Sequence, residues 1–281
     1  MSRVGIVAEG GGTKAAYSAG VLKCLLENDI ILPYCVGISA GTEVLLSYVS
    51  KQIKRLEVTG IDAPCQKGVI GLIPLLKEGG IFGLEATSDF IESKEPLDFD
   101  AFNSSITQMD IGLYNLSTHE VEYFNKKSVD ASQTVVKASC ALLLLAKPYR
   151  FNGTMYMDAG LVDMISIEQS IKAGNDKHII ISTKEEGYVR KPAPKWQLWL
   201  SKVVYKDSKI TEDFKKRHIR YKEQWDKISE LEKQGKAIVL RPHKDLGVTR
   251  YTTDPKKLGP WFQLGYDETY ARIDEIKEFV K

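Results

Sequence analysis

The sequence predicts an α/β fold with a mainly parallel central sheet flanked by helices, plus a helical C-terminal extension. Two patterns carry this. The N-terminal segment alternates short β-branched runs, glycine-containing turns and apolar-faced helices, which is the βαβα beginning of a parallel sheet. The last third holds all four tryptophans and shows helical apolar spacing. The composition is that of a folded chain. Of 281 residues, 43 % are hydrophobic and 27 % charged, enough to bury a full core without staples.

Arg3 to Ala8 is apolar and β-branched and stops at Gly10-Gly11-Gly12, so it reads as a buried strand. Lys14 to Glu27 reads as a helix with Ala16, Ala19, Val21, Leu22, Leu25 and Leu26 on its apolar face. Tyr34 to Ile38 reads as a second strand and Ala40 to Lys51 as a second helix. Gly68 to Gly83 reads as a loop-helix segment, in which Gly79 to Gly83 is either a lid hinge or an ordinary surface loop. Asp110 to Leu116 and Val121 to Phe124 read as paired strands, and Ala131 to Leu145 as a buried helix. Asn152-Gly153 marks a hairpin turn. Ile165 to Ala173 reads as a helix and Lys177 to Thr183 as a central strand.

The composition shifts after Thr183. The expected division is residues 1–185 as one domain and 186–281 as a mainly helical extension packed on it. Trp196, Trp199, Leu200, Val203 and Val204 share one helical face, within a stretch (Lys184 to Lys227) of 13 Lys/Arg against seven Asp/Glu. Such a stripe usually faces a core, and that is the expectation; the alternative is a helix lying on an anionic bilayer. Ala237 to Leu240 reads as a further strand and Gly259 to Val280 as the closing helix.

A net charge of +2 argues against a nucleic-acid partner. Cys24, Cys35, Cys65 and Cys140 form no CxxC pair and have no histidine at zinc-finger spacing, so no metal or disulfide framework is expected. Reduced thiols fit a cytoplasmic location. The N-terminus does not read as a signal peptide. The longest apolar run, Ala141 to Ala146, is far short of the ~20 residues that span a bilayer. Peripheral contact with the inner face of an anionic membrane stays open.

The strongest chemical signal is Gly37-Ile38-Ser39-Ala40-Gly41, a GxSxG pattern between a strand and a helix. That context exposes a serine hydroxyl on a sharp turn, and a side chain at either glycine would strike the neighbouring strand or helix. The plain alternative is a Gly-Ser turn that caps the helix. Gly10-Gly11-Gly12 offers backbone N–H donors for a developing oxyanion, and parallel neighbouring strands would bring this loop to face Ser39. Gly10-x-Gly12-x-x-Ala15 also fits a loose dinucleotide fingerprint, but the second strand lacks that fingerprint's acidic residue. A serine nucleophile needs a base. Of His119, His178, His218 and His243, none has a recognisable catalytic setting, and His243 is the best placed for a Ser-His-Asp triad. Asp158, in Met157-Asp158-Ala159-Gly160, reads as a turn residue or as a base acting alone.

The chain resembles the bacterial patatin-like phospholipases. The residues that say so are Glu9-Gly10-Gly11-Gly12-Thr13-Lys14 with Ala16 to Leu22, then Gly37 to Gly41, then Ala138-Ser139-Cys140-Ala141-Leu142, then Asp158-Ala159-Gly160. Leu240-Arg241-Pro242 and Leu264-Gly265-Tyr266 are similar to tails of the bacterial branch. The resemblance implies the three-layer patatin fold and a lipid acyl hydrolase without a cofactor. It implies a Ser39–Asp158 dyad, an acyl-enzyme on Ser39, and an oxyanion held by Gly10, Gly11 and Gly12 with help from the Ala40 N–H. It also implies that Lys14 fixes the glycine loop, with Gly37, Gly41, Ala159 and Gly160 as motif support. The chain departs from the family in having Lys14 where Arg is usual, Ala15 and Ala159 where Gly is usual, and Leu143 and Ser166 where Pro is typical. If the Ala159 position needs φ > 0, alanine there costs stability or shifts the base. The remaining alternatives are a degenerate relative that binds lipid or a partner without turnover, a nucleotide-binding protein using the glycine loop, and a Ser-His-Asp esterase using His243.

Overall fold

The computed structural model describes residues 3–281. In chain order it contains β1 (Val4–Ala8), α1 (Ala16–Glu27), β2 (Tyr34–Gly37), α2 (Ala40–Val49), α3 (Ile53–Glu57), α4 (Leu72–Lys77), α5 (Leu84–Lys94) and α6 (Phe99–Ser104). There follow β3 (Gln108–Asn115), β4 (Val121–Asn125), α7 (Thr134–Cys140), β5 (Tyr149–Phe151), β6 (Thr154–Asp158), α8 (Ile167–Lys172) and β7 (Lys177–Ile181). The last third gives α9 (Lys195–Tyr205), α10 (Ser208–Lys233), β8 (Ala237–Leu240), α11 (Pro255–Tyr270) and α12 (Ile273–Phe279).

One sheet runs β5-β6-β3-β2-β1-β7-β8, with β4 also on β3. The strands from β3 through β2, β1 and β7 to β8 are parallel; β4, β5 and β6 are antiparallel. Both faces of the parallel part are covered, which is why its strands are continuously apolar. Ile6 and Ala8 of β1 face one core with α1, α2 and α11, whereas Val7 faces the other with α8 and α10. β8, from the C-terminal third, completes the sheet by pairing with β7.

The register around β3 positions everything that follows. β4 pairs with Asp110 to Tyr114. β2 pairs with Gln108 to Ile111 and β6 with Leu113 to Asn115. Because β4 occupies one edge, β2 and β6 must share the other. Running in opposite directions, they approach each other end to end. Gly112 lies at their meeting point: a Cβ there would come 2.5 Å from Ile38 Cδ1 and 3.5 Å from Ala159 Cβ.

The helix expected over Ala131 to Leu145 covers only Thr134–Cys140. Beyond it Leu144 takes φ +66, and the leucines line cavities instead of a helix face. The closing helix is two, α11 and α12. The tryptophan stripe does form a helix, α9, but its apolar side does not pack on the core: Trp196 is 62 % and Trp199 66 % exposed, with Val203 and Val204 also exposed. The segment from Gly68 to Gly83 closes on itself through an Ile70–Phe82 bridge and carries α4, whose Leu72, Ile73, Leu75 and Leu76 face solvent.

The tail is held on by close helix packing. A Cβ on Gly20 of α1 would lie 1.9 Å from Phe262 O, and one on Gly265 of α11 would lie 2.2 Å from Tyr17 O. Two helix backbones touch there, and neither can yield. Gly265→Ala should therefore destabilise the chain by at least the ~1–3 kcal/mol usual for overpacking, read as a lowered urea midpoint with unchanged slope.

Candidate active site

Ser39 lies one residue beyond β2, after Ile38, and caps α2 with φ +57 and ψ −134. For a non-glycine residue that backbone is strained, and the surroundings must hold it. Three contacts do so. Ser39 O accepts from Thr42 N at 2.8 Å, Ile38 O accepts from Gly41 N at 2.9 Å, and Ser39 N donates to Ser139 Oγ at 3.1 Å. The flanking glycines are sterically required. A Cβ on Gly37 would lie 2.7 Å from Thr42 N, and one on Gly41 would lie 2.5 Å from Ala8 O. The sequence expectation of collisions with helix and strand holds.

The glycine loop faces this turn, as the parallel β1–β2 pairing requires. A Cβ on Gly10 would stand 2.8 Å from Ser39 Cβ, so only glycine lets the loop come this near. Gly12 has φ +57. Among the described residues, the N–H groups of Gly10, Gly11, Gly12 and Ala40 donate to no other protein group. Lys14 ties the loop to the tail: its carbonyl accepts from Trp261 Nε1 at 2.9 Å, and its ammonium lies 5.3 Å from the Trp261 ring centroid. Glu9, before the glycines, is fully buried. It accepts from Ser182 Oγ (2.6 Å), Thr183 N (3.1 Å) and Tyr221 OH (3.0 Å).

Asp158 ends β6 and is 1 % exposed. Oδ1 accepts from Gly160 N at 2.7 Å, which is the turn role; Oδ2 is buried with no hydrogen-bond partner. Burial pushes this carboxyl above the usual carboxylate range, against the Ser39 hydroxyl, the Gly160 N–H, Arg217 and Arg250, which favour its charge. Asp158 N donates to Ala141 O at 3.0 Å. The Ala138-to-Leu142 motif thus braces both sides, Ser139 under Ser39 and Ala141 against Asp158. Ala159 is not among the residues with positive φ, and Ala15 has φ −64, so neither alanine is strained.

One polar cavity is lined by Glu9, Gly10, Gly11, Gly12, Ser39, Asp158 and Gly160. A second, mainly apolar cavity also reaches Ser39, lined by Ala40, Val44, Val69, Ile70, Phe82, Leu84 and Ile91, with Thr59, Thr87, Ser88 and Lys137 among its polar members. Glu43 also lines it, and burial raises its carboxyl above the ordinary value, towards the neutral form. The histidines lie elsewhere. His243 bonds Glu268 on α11 and lines neither cavity around Ser39. His119 pairs with Asp207 at 2.7 Å, and buried His178 bonds Ser170 and is pushed down to about 4 by desolvation. His218 lines only a wider outer cleft that also touches Asp158.

The patatin-like phospholipase family model matches residues 6–171, more than half of the chain. The chain belongs to the patatin-like phospholipase family. A second family model, a domain of unknown function (DUF6363), matches residues 207–281. None of the curated proteins matches this sequence. Among solved structures, VipD from Legionella pneumophila is similar with a TM-score of 0.52 at 16 % identity, over 98 % of this chain and 67 % of that one. Human GIVD cytosolic phospholipase A2, in complex with a methyl gamma-linolenyl fluorophosphonate inhibitor, has a TM-score of 0.50 at 12 % identity, over 99 % of this chain and 59 % of that one. At these identities the likeness is one of fold. The patatin fold expected from the sequence, with its helix-flanked central sheet and helical extension, is the fold observed.

The sequence places His218 in a cationic helix over Lys215 to His218, and that helix is part of α10, the longest described, but the roles of Arg217 and Tyr221 on it were missed. Arg217 on it donates from Nε to Gly160 O at 2.5 Å, and Tyr221 reaches Glu9. Its buried Ile210, Phe214, Tyr221, Ile228 and Leu231 form a sparse helical stripe that was present to be read.

The raised Asp158 carboxyl has a stability consequence. The folded state holds this proton more tightly than the unfolded chain does. Stability therefore falls as pH rises from about 3.9 through the raised folded-state value, and the loss is complete above it. Asp158→Asn should melt a few degrees above wild type at pH 7, with the gap shrinking towards pH 4, as followed by circular dichroism.

Proposed function

We propose that this chain is a serine lipid acyl hydrolase that works through a Ser39–Asp158 dyad. The observation that carries the reading is the position of Ser39. Its hydroxyl stands where an apolar cavity meets a polar one that holds a buried carboxylate oxygen and unoccupied N–H donors. An acyl chain suits the first cavity and an ester carbonyl the second.

Ser39 Oγ attacks the carbonyl carbon while Asp158 Oδ2 takes the hydroxyl proton. The carbonyl electron pair moves to oxygen and is held by the N–H groups of Gly10, Gly11 and Gly12 and of Ala40 at the start of α2. Collapse breaks the ester bond, and the leaving alcohol takes the proton from Asp158. Water then attacks the acyl-enzyme and gives a proton to Asp158; collapse breaks the acyl–Oγ bond, Ser39 Oγ takes that proton back from Asp158, and the acid is released. An ordinary aspartate is a weak base; burial strengthens this one. The division into a catalytic domain over residues 1–185 and an extension over 186–281 is part of the same proposal.

With p-nitrophenyl esters, wild type should turn over. Ser39→Ala and Asp158→Asn should lose about a thousandfold or more while keeping their circular dichroism. His243→Ala should stay near wild type, and a fluorophosphonate should label Ser39. The acid limb of the pH–rate profile should lie above the ordinary carboxylate range. An unlabelled, inactive wild type would favour a binding protein without turnover. Loss in His243→Ala equal to that in Asp158→Asn would favour a triad.

Contact with an anionic membrane belongs to this proposal. No helix among the described residues is long and apolar enough to cross a bilayer. The exposed faces of α4 and α9 are nevertheless apolar, and Trp196 borders the cleft that leads to Asp158. Amphipathic helices with exposed tryptophan suit the interface plane. Trp196→Ser/Trp199→Ser should weaken sedimentation with phosphatidylglycerol vesicles about tenfold.

A further inference from the structure

The mainly apolar cavity that reaches Ser39 carries polar groups that a plain hydrocarbon chain does not satisfy. Two of them are already paired. Lys137 Nζ donates to Glu85 Oε2 at 2.6 Å, and Thr87 Oγ1 donates to Gly83 O at 2.7 Å. Two are not. Glu43 Oε1 and Thr59 Oγ1 line the same cavity, and both atoms are buried without a hydrogen-bond partner. Thr59 is only 8 % exposed, so bulk water does not serve it.

No cation neutralises Glu43. Desolvation raises its carboxyl and Glu92 adds to the rise, against Arg55 and Lys137. Those two cations are engaged elsewhere, Arg55 with Glu92 at 2.6 Å and Lys137 with Glu85 at 2.6 Å. The first turn of a helix favours an acid for its charge, but burial drives this one towards its neutral form. That preference also leaves Thr59, on the segment Val58–Asp62, without an explanation.

Helix α2 fixes where these groups meet a substrate. Glu43 N donates to Ser39 O at 3.4 Å, so Glu43 lies one helical turn beyond Ser39. Residues four apart on a helix stand roughly 5–6 Å from each other at Cβ. That distance matches the first few carbons of an acyl chain whose carbonyl lies at Ser39.

We propose that Glu43 and Thr59 select the acyl chain, so that the preferred substrate is the ester of a hydroxy acid whose hydroxyl lies a few carbons from the carbonyl. A hydroxyl both donates and accepts, so it can pair with a carboxyl group and with a threonine hydroxyl. A plain chain leaves both buried groups unpaired, and a site built to bond a hydroxyl rejects the analogue that lacks it. The inference rests on the reading of Ser39 as nucleophile and of this cavity as the acyl site.

The test compares the p-nitrophenyl esters of octanoate, 3-hydroxyoctanoate and 8-hydroxyoctanoate, each scaled to its own rate of alkaline hydrolysis. Wild type should favour one enantiomer of the 3-hydroxy ester about tenfold or more over octanoate in kcat/KM, with no such gain for the 8-hydroxy ester. Glu43→Leu and Thr59→Val, checked for folding by circular dichroism, should each lower that ratio, and the double variant should bring it to about one. Glu43→Gln keeps a donor and an acceptor and should keep part of the preference. A loss of packing alone would slow both esters together and leave the ratio unmoved. A second arm does not need turnover. Ser39→Ala is titrated with octanamide and 3-hydroxyoctanamide in a calorimeter. Tighter binding of the hydroxyamide, lost in Ser39→Ala/Glu43→Leu/Thr59→Val, supports the selection. Equal kcat/KM for octanoate and 3-hydroxyoctanoate, with equal binding of the two amides, overturns it and leaves the hydrolase reading standing. A preference that survives Glu43→Leu/Thr59→Val overturns the assignment to these residues. Selective binding of the hydroxyamide without hydrolysis of any ester overturns the hydrolase reading and leaves the selecting site.

Discussion

The site depends on one constraint, the shared edge of β3. A strand offers two edges, and β4 takes one of them over Asp110 to Tyr114. β2 and β6 must divide the other, and they do so without overlap, β2 up to Ile111 and β6 from Leu113. Their ends meet over Gly112, which has no side chain to hold them apart. Ser39 follows the end of β2, and Asp158 is the last residue of β6. Residues far apart in sequence are brought together by ladder hydrogen bonds, not by a flexible loop. A register slip of one residue would turn Asp158 to the other face of the sheet.

The same geometry sets Asp158 against stability. The carboxylate is buried with one oxygen unpartnered, although Gly160 N–H, Arg217 and Arg250 stand within reach of its charge. A fold optimised for stability alone would satisfy that oxygen or replace the residue. Ser39 carries a matching cost in its positive φ, held by Ser139 and the turn bonds. Strain and desolvation gathered at one point, with complete bonding around it at Glu9, mark this cavity off from the rest of the core.

Much of this was legible in the sequence because it is local. The two glycine turns, the strands beside them and the hairpin at Asn152-Gly153 follow from residues a few positions apart, and the structure bears them out. The resemblance linked Ser39 to Asp158, but no spacing in the chain shows the β3 edge that joins them. The tryptophan stripe shows a different limit. Its period correctly gives helix α9, yet amphipathicity says nothing about whether a partner exists, and here the apolar face meets solvent. The leucines from Leu142 to Leu145 extended a helix on paper because they are apolar; their apolarity belongs to cavity walls. Arg217 was out of reach for a third reason. Its target, Gly160 O, is 57 residues away and is a backbone atom, which leaves no mark on composition.

The extension is therefore more than a cover. β8 lengthens the sheet, Gly265 lets α11 sit on the backbone of α1, and Trp261 of α11 holds the carbonyl of Lys14 in the glycine loop. α10 places Tyr221 on Glu9 and Arg217 on Gly160, two residues that line the cavity. The N-terminal part supplies Ser39, Asp158 and the free N–H groups, while the C-terminal part supplies the charge that surrounds them. Loops that change charge around a fixed reacting geometry are how one fold comes to treat different substrates. Here the charge sits on a helix and on the two segments bordering the sheet's final strands. Residues of both parts of the chain thus line the one polar cavity at Ser39.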